Sequence, residues 1–477
     1  MNDLLHVSMA WMDEWWDDQR ALLWNPPGAY VEALRRARRA HMVRESAWYA
    51  LGLLRREDEG DRARAEATLG AVVDAQYDEP GQVWHGTFRR FPEERHPQGG
   101  ARIWVDYDPN WRQFVGCAVA LVLDVYDVPS SLRARLERAI QLAVEGEDDG
   151  RVGAWYSNIA LMKSWLDVWA GHAFHRTELV ERGEHLAHDV VALFDRHGAF
   201  DEYNSPTYYG IDLFALALWR SHSPSAFLRE NGERLEATLW ADTARWYHGG
   251  LRNLCGPYTR AYGMDLAAYV SNLSLWLWEG LGRDHAPLPS MLGEMAHSHD
   301  LCFAPAIAEL GARIPEELHH RFTEAPAADR QVSQTLNIDP HRAATGWLGR
   351  DAMIGAEHNP VGLGGWRQFH PATMHWAAPD GVHWLRVFPP GPIDAVAQPG
   401  VLTARCRCVF GAEVVVEVGP RTPTFDVESR RWELPGRTIE VSVDGASAPR
   451  VSEQDGHVTV SYTAATDGEI TLHFSFV

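Results

Sequence analysis

The chain has 477 residues, 45% of them apolar, with 44 Lys and Arg against 65 Asp and Glu and a formal net charge of −21. Its length exceeds one ordinary domain, so two large units are expected, each with a core of its own. The negative charge argues against nucleic acid and anionic membrane as partners, and no stretch reaches the ~20 consecutive apolar residues of a membrane span.

The N-terminus, MNDLLHVSMAWMDEWWDDQR, sets acids among its aromatics and lacks a basic segment leading into an apolar one. It does not read as a secretory signal, and the expected address is the cytoplasm. Five cysteines, an odd number scattered along the chain, do not form a disulfide framework. The 21 Trp and 14 Tyr are unusual: aromatic faces can hold sugar rings, although a given Trp more often packs between helices.

From Met1 to about Thr323 the pattern is helical. Apolar stripes near period 3.6 mark helices over 31–55, 112–126, 132–144, 158–170, 179–196, 209–221, 235–248 and 266–281. Such a succession implies antiparallel helical hairpins, stacked in a bundle or wrapped into a toroid. From Thr345 onward, RCRCVFGAEVVVEVG, TIEVSVDG, HVTVSYTA and EITLHFSFV alternate like strands between Gly, Pro and Asp turns, which predicts an antiparallel sandwich. The expected fold class is α+β multidomain, with a helical catalytic domain over 1–325 and a β-sandwich over 326–477.

The helical half is interrupted by loops that do not look like mere links. Residues 79–111 hold His85, Glu93, Glu94, Asp108 and Asn110 with little periodicity, and long unstructured loops in compact domains are usually functional or disordered. Trp155 and Asn158 precede or open another predicted helix. In FDEYNSPTYYGIDLFALALWR (200–220), Asn204, Ser205 and Pro206 have the character of helix-start residues, so Glu202, Asn204, Tyr208 and Tyr209 would project from a fixed helix mouth. Arg260, Tyr262 and Asp265 stand before a further apolar helix.

Asn, Tyr, Arg and His in such loops suit abstraction of a proton beside a carboxylate. The carbon acid is weak until the carboxylate is neutralised and the enediolate stabilised, a task for Asn or His. A phenol serves as base only if its pKa, ordinarily ~10, is lowered, as a neighbouring arginine would do. Asn158, Tyr208 and Arg260 are candidates for these three roles, with Tyr262 or a histidine protonating the leaving oxygen. The alternative for each is structural: a helix cap for Asn158, packing for Tyr208 and Tyr209, an ion pair with Asp265 or Glu279 for Arg260. His370, His375 and His383 have spacings that match no standard zinc pattern, and Cys406 and Cys408 alone do not make a metal site. No metal, nucleotide or other cofactor is expected, since glycine-rich phosphate and dinucleotide motifs are missing from the sequence.

The stretch EYNSPTYYGID (202–212) resembles the acidic-x-x-Ser-Pro-x-Tyr-His/Tyr segment of heparinase II/III-like and alginate-lyase-like polysaccharide lyases. The resemblance implies an incomplete (α/α) toroid followed by antiparallel β-sheets. It implies that Tyr208 acts as acid, base or both, that Asn158 neutralises a uronate carboxylate, and that the reaction is β-elimination at a 4-linked uronate. In that family the asparagine is often followed by His, whereas Ile159 follows here, leaving His85 or His370 as substitutes. Tyr209 stands where the family has His. The substrate implied is an acidic oligosaccharide or glycoside, touched by Asn110, Trp155, Glu202, Asn204, Tyr209, Asp265 and His370. Homo-oligomer formation is left open. Competing readings are a uronate C5-epimerase, an inverting glycoside hydrolase drawing two carboxylates from Glu93, Glu94, Asp108, Glu202 and Asp265, and a carbohydrate-binding scaffold without turnover.

Overall fold

The computed structural model describes residues 3–29, 39–146, 150–338, 341–359, 368–420, 425–454 and 456–477. The chain divides into two compact units. One comprises Met1–Asp195, Tyr208–Leu239 and Ala268–Arg313, the other Arg196–Thr207, Trp240–Ala267 and Ile314–Val477. Among the described residues, no helix is long and apolar enough to cross a membrane.

The first unit opens with α1 (Leu4–Asp13) and a short antiparallel ladder of β1 (Trp16–Asp17), β2 (Leu22–Trp24) and β3 (His41–Met42). Helical hairpins follow: α2 (Val43–Arg56) with α3 (Asp61–Asp74), α4 (Trp111–Val125) with α5 (Ser130–Glu145), α6 (Ser157–Ala173) with α7 (Thr177–His197), and α8 (Tyr209–His222) with α9 (Ala226–Trp246). Then come α10 (Asn272–Leu281) and the short α11 (Ala304–Leu310).

Alternate helices differ in what they bury. α4 is buried without a break from Trp111 to Leu123 and α6 from Ser157 to Gly171, as helices enclosed on all sides must be. α5 and α7 bury one stripe each, Leu132, Leu136, Ala139 and Ile140 in the first and Leu179, Leu186, Val190 and Phe194 in the second. The helices buried on all sides therefore form the inner layer and the amphipathic ones the outer layer. Each inner helix touches the next, α2 to α4, α4 to α6, α6 to α8 and α8 to α10, and α11 packs on both α10 and α2 to close the ring. Gly183 in α7 permits one of the close inner-to-outer approaches, since a Cβ there would lie 2.7 Å from the carbonyl oxygen of Ser164 in α6.

Several boundaries differ from the periodicity. The helix expected over 31–55 begins at Val43, and residues 30–38 lie outside the described residues. The helix expected from 266 starts at Asn272 because the Ser271 hydroxyl caps it, accepting the Ser274 N–H at 3.1 Å. α1 and α3 were not signalled; α3 buries little beyond Ala65, Thr68, Leu69 and Val72 among charged residues.

In the second unit the last turn of α9 leads to β4 (Tyr247–His248), paired with β5 (Asn253–Leu254), and α12 (His319–Thr323) precedes the main strands. These are β6 (Arg330–Ile338), β7 (His341–Leu348), β8 (Ala352–His358), β9 (Ala372–Ala378), β10 (Gly381–Phe388), β11 (Ile393–Gln398), β12 (Val401–Cys408), β13 (Glu413–Gly419), β14 (Arg431–Leu434), β15 (Arg437–Asp444), β16 (Arg450–Gln454), β17 (His457–Thr463) and β18 (Gly468–Phe476). One sheet runs β16-β17-β13-β10-β9-β8-β7-β6, the other β11-β12-β18-β15-β14, all antiparallel. Alternate side chains of both sheets share one core, Ile354, Met374, Trp376 and Val416 from the first and Leu402, Trp432, Ile439 and Phe474 from the second. Helices followed by antiparallel sheets is the fold class expected from the sequence.

Cys406 and Cys408 point into that core, where burial pushes the Cys406 thiol up to about 12. His370, His375 and His383 are buried and held by separate partners: the carbonyl oxygens of Ala261 at 3.3 Å and Met264 at 2.9 Å, and the carboxylate of Asp380 at 2.9 Å. Burial lowers His375 to about 4, so it is neutral in the folded chain. An unfolded histidine titrates near ~6.5. Because the folded value is the lower one, the stability this residue supports is complete above pH ~6.5 and is lost as pH falls towards 4, by about 3 kcal/mol in all. His375→Gln is expected to flatten the acid limb of the denaturant-unfolding free energy between pH 7 and 4 by one proton's share; an unchanged slope would refute this.

Candidate active site

The hairpin alternation makes the inner helices of the first unit parallel, so their N-termini share one end. Contacts between helix starts bear this out. The Arg44 guanidinium of α2 lies 5.3 Å from the ring of Trp111, the first residue of α4. Asn110, just before α4, donates through Nδ2 to the hydroxyl of Tyr156, just before α6, at 2.8 Å. Gly210 of α8 presses on Asn272 of α10, where a Cβ would come within 2.4 Å of the Asn272 Cβ. The N-cap residues Met42, Asn110, Tyr156 and Tyr208 make no side-chain capping bond. Backbone N–H groups and the positive ends of the helix dipoles are thus gathered at one mouth.

Polar side chains crowd the same end. Arg44 donates to Glu45 at 3.0 Å and 2.6 Å, and its charge also acts on Asp108 and Asp300. Burial raises Asp108 above the usual carboxylate range, against the Asn110 N–H donated to it at 2.9 Å and the charges of Arg90, Arg44 and Arg151. Burial raises Asp300 to about 7, against the pull of Arg44. Asn110 also accepts from Arg151 at 2.8 Å. Trp155, 55% exposed, lies nearly parallel to Tyr156, with ring centroids 5.6 Å apart and planes at 12°.

Of the remaining first-unit candidates, Asn158 and Tyr208 stand at helix starts. Asn158 is the second residue of α6 and is fully buried. Tyr208 occupies the N-cap position of α8 and is partly exposed, whereas the next residue, Tyr209, is 1% exposed. His85 is mostly buried in the 79–111 loop, its Nδ1 accepting the Glu79 N–H at 3.0 Å. Glu94 is paired with Arg90, and Glu93 accepts from His41 at 2.7 Å.

The other candidates belong to the second unit. Arg260 pairs with Glu202 at 2.8 Å. The N-cap position of α8 is held by Tyr208, not by Asn204 or Ser205. Asn204, at φ 49°, donates to the carbonyl oxygens of Cys255 and Pro257, both at 2.7 Å, and Ser205 donates to that of Arg260 at 2.6 Å. They tie two loops together instead. Tyr262 is partly exposed, Asp265 accepts the Ala267 N–H at 2.9 Å, and His370 is fully buried. The reading of the sequence missed Arg44, Glu45, His297, His299 and Asp300. The run HSHD at 297–300 was the available signal.

Residues 2–312, well over half of the chain, match a family described as a Domain of unknown function (DUF8769). The chain belongs to the DUF8769 family. No curated protein matches it. Among solved structures, this DUF8769 member is similar to a heparinase III at TM-score 0.49 and 8% identity, over 95% of this chain and 78% of that one. It is similar to the chondroitin AC lyase of Streptomyces coelicolor A3, solved with chondroitin sulphate, at TM-score 0.46 and 10% identity, over 100% and 79% of the two chains. The endoglucanase CelQ of Clostridium thermocellum, complexed with cellotriose, overlaps at TM-score 0.23 and 10% identity, over 91% and 83%.

In the DUF8769 mouth Arg44 is the charge against which Glu45, Asp108 and Asp300 are set. Arg44→Met is expected to destabilise the protein by ~3–5 kcal/mol at pH 8, since it leaves buried carboxylates uncompensated. Asp108 and Asp300 have raised values when folded, so protonation at lower pH relieves the repulsion and the deficit shrinks. Denaturant unfolding of the variant and wild type at pH 8 and pH 5 checks this; an equal deficit at both would show that Arg44 does not compensate them.

Proposed function

We propose that this DUF8769 member is a carbohydrate-active lyase that cleaves a uronate-containing oligosaccharide or glycoside by β-elimination. The observation that carries the reading is the placement of Tyr208, a partly exposed tyrosine at the start of α8, beside α6, whose start carries Asn158. The substrate class is suggested by the resemblance of residues 202–212 to the lyase segment and by the helix N-termini gathered at the mouth, which favour a carboxylate.

In this reading the Asn158 amide and the helix ends hold the uronate carboxylate and stabilise the enediolate. Tyr208, as general base, removes the proton on the carbon next to the carboxylate. The electron pair of that C–H bond becomes the new ring double bond as the C4–O bond breaks. The departing oxygen takes a proton, which the Tyr208 hydroxyl can return, so water is not consumed. Trp155, exposed and braced by Tyr156, offers a face on which a sugar ring can stack. A hydrolytic reading draws support from Asp108, whose carboxyl is raised as a general acid requires.

Incubation with a panel of uronate-containing oligosaccharides is expected to yield products that absorb ultraviolet light at the new double bond. Tyr208→Phe is expected to lower turnover by roughly 10²–10⁴-fold with little change in binding. Trp155→Ala is expected to raise KM by roughly 2–10-fold at nearly constant kcat. Products heavier by one water and silent in the ultraviolet would replace elimination by hydrolysis, and undiminished turnover in Tyr208→Phe would remove the tyrosine from the chemistry.

A further inference from the structure

The segment after α10 returns to the helical unit in a tight turn, HSHDLCF (297–303), whose 3-10 part spans Ser298–Phe303. Two bonds fasten it to the loop after β2: the His297 N–H donates to the carbonyl oxygen of Gly28 at 2.9 Å, and the Ser298 hydroxyl to that of Pro27 at 2.8 Å. His297, His299 and Asp300 each turn one ligand-type atom inward, and these atoms all lie within 4.8 Å of one another.

The two contacts between these histidines and Asp300 are too long for hydrogen bonds. His297 Nδ1 is 3.8 Å from one Asp300 oxygen and His299 Nε2 is 3.7 Å from the other, both beyond hydrogen-bond distance. They are close to the roughly 3.4 Å that separates two ligand atoms each ~2.1 Å from a shared tetrahedral ion. His299 is 5% exposed, and its ring makes no hydrogen bond among the described residues, its Nδ1 being enclosed without a partner. A polar ring buried in this way is costly unless something else binds it.

We propose that His297, His299 and Asp300 form a binding site for a divalent first-row transition ion such as zinc. Two imidazoles and a carboxylate are a donor set that such ions take, and they leave a further coordination position for water or another ligand. Arg44 is the opposing feature, because its positive charge acts on Asp300. Glu45 answers it, accepting from the same guanidinium at 2.6 Å. Arg44, Glu45 and Asp300 together carry one net negative charge when both acids are ionised. The proposal does not depend on the lyase reading, and its test uses no turnover measurement.

The test is to strip the protein with a chelator, dialyse it against Co2+ and read the visible absorption and the bound metal per chain, with Zn2+ as competitor. One Co2+ per chain, displaced by Zn2+, is expected. His299→Gln and Asp300→Asn are each expected to weaken Co2+ binding by more than the roughly 10–100-fold that a lost outer-shell partner costs. Lack of stoichiometric Co2+ binding, or unchanged binding in both variants, would overturn the site. If neither variant folds, X-ray absorption of the zinc-loaded wild type decides. Two imidazoles and a carboxylate at about 2.0–2.2 Å support the assignment, and a sulfur ligand or a shell of oxygen alone overturns it.

Discussion

Each inner helix of the first unit carries about half a positive charge at its N-terminus, and the hairpin alternation brings the N-termini of α2, α4, α6, α8 and α10 to one end. Parallel dipoles packed side by side repel, so this end needs negative charge or hydrogen-bond acceptors nearby. The chain supplies Glu45 in the first turn of α2 and Asp212 in that of α8, with Asp108 ahead of α4. The far ends show the complement. Arg55 and Arg56 close α2, and Arg220 near the end of α8 donates to the carbonyl oxygens of Leu310 and Gly311 as well as to Glu236. In the proposed reading the same field would also favour an anionic substrate group.

That field does not act alone. The buried inner helices are mostly apolar along their length, Lys163, Ser164 and Asp167 of α6 being exceptions, and further polar groups stand where the helices begin. Once there, they are partly withdrawn from water, and each needs a partner. The chain from Arg151 through Asn110 to Tyr156 satisfies several at once and places Trp155 at the surface beside it. A network of this kind fixes side-chain positions before a ligand arrives, which is what general acid–base chemistry requires of its surroundings.

Much of this was legible from residue pattern. Strand alternation located β12, β13, β15, β17 and β18 because inward positions such as Leu402, Val416 and Leu472 are apolar and buried and alternate with less buried ones. Helices that enclose a core announced themselves, whereas α3, with few buried residues among many charges, did not. At Asn204 and Ser205 local propensity pointed to a helix cap, but these side chains bond to carbonyls more than fifty positions away, and pattern has no access to such partners. The same limit hid Arg44 and Asp300. An arginine at a helix start and an aspartate beside two histidines look ordinary until folding sets them against each other.

The two adjacent tyrosines show how far local geometry can separate packing from chemistry. Successive residues at a helix start point roughly 100° apart, since there are about 3.6 residues per turn, so Tyr208 and Tyr209 cannot serve the same surroundings. Tyr209 is the first residue of α8 and is enclosed, while Tyr208 remains partly open to solvent. An enclosed ring is held by its neighbours, and its removal would be felt as lost packing. A partly open ring gains less from burial, so packing alone gives a weaker reason for a tyrosine at that position. In the proposed lyase reading it is the hydroxyl of Tyr208, not that of the enclosed Tyr209, that would meet a substrate, with the polar groups at the neighbouring helix starts as its surroundings.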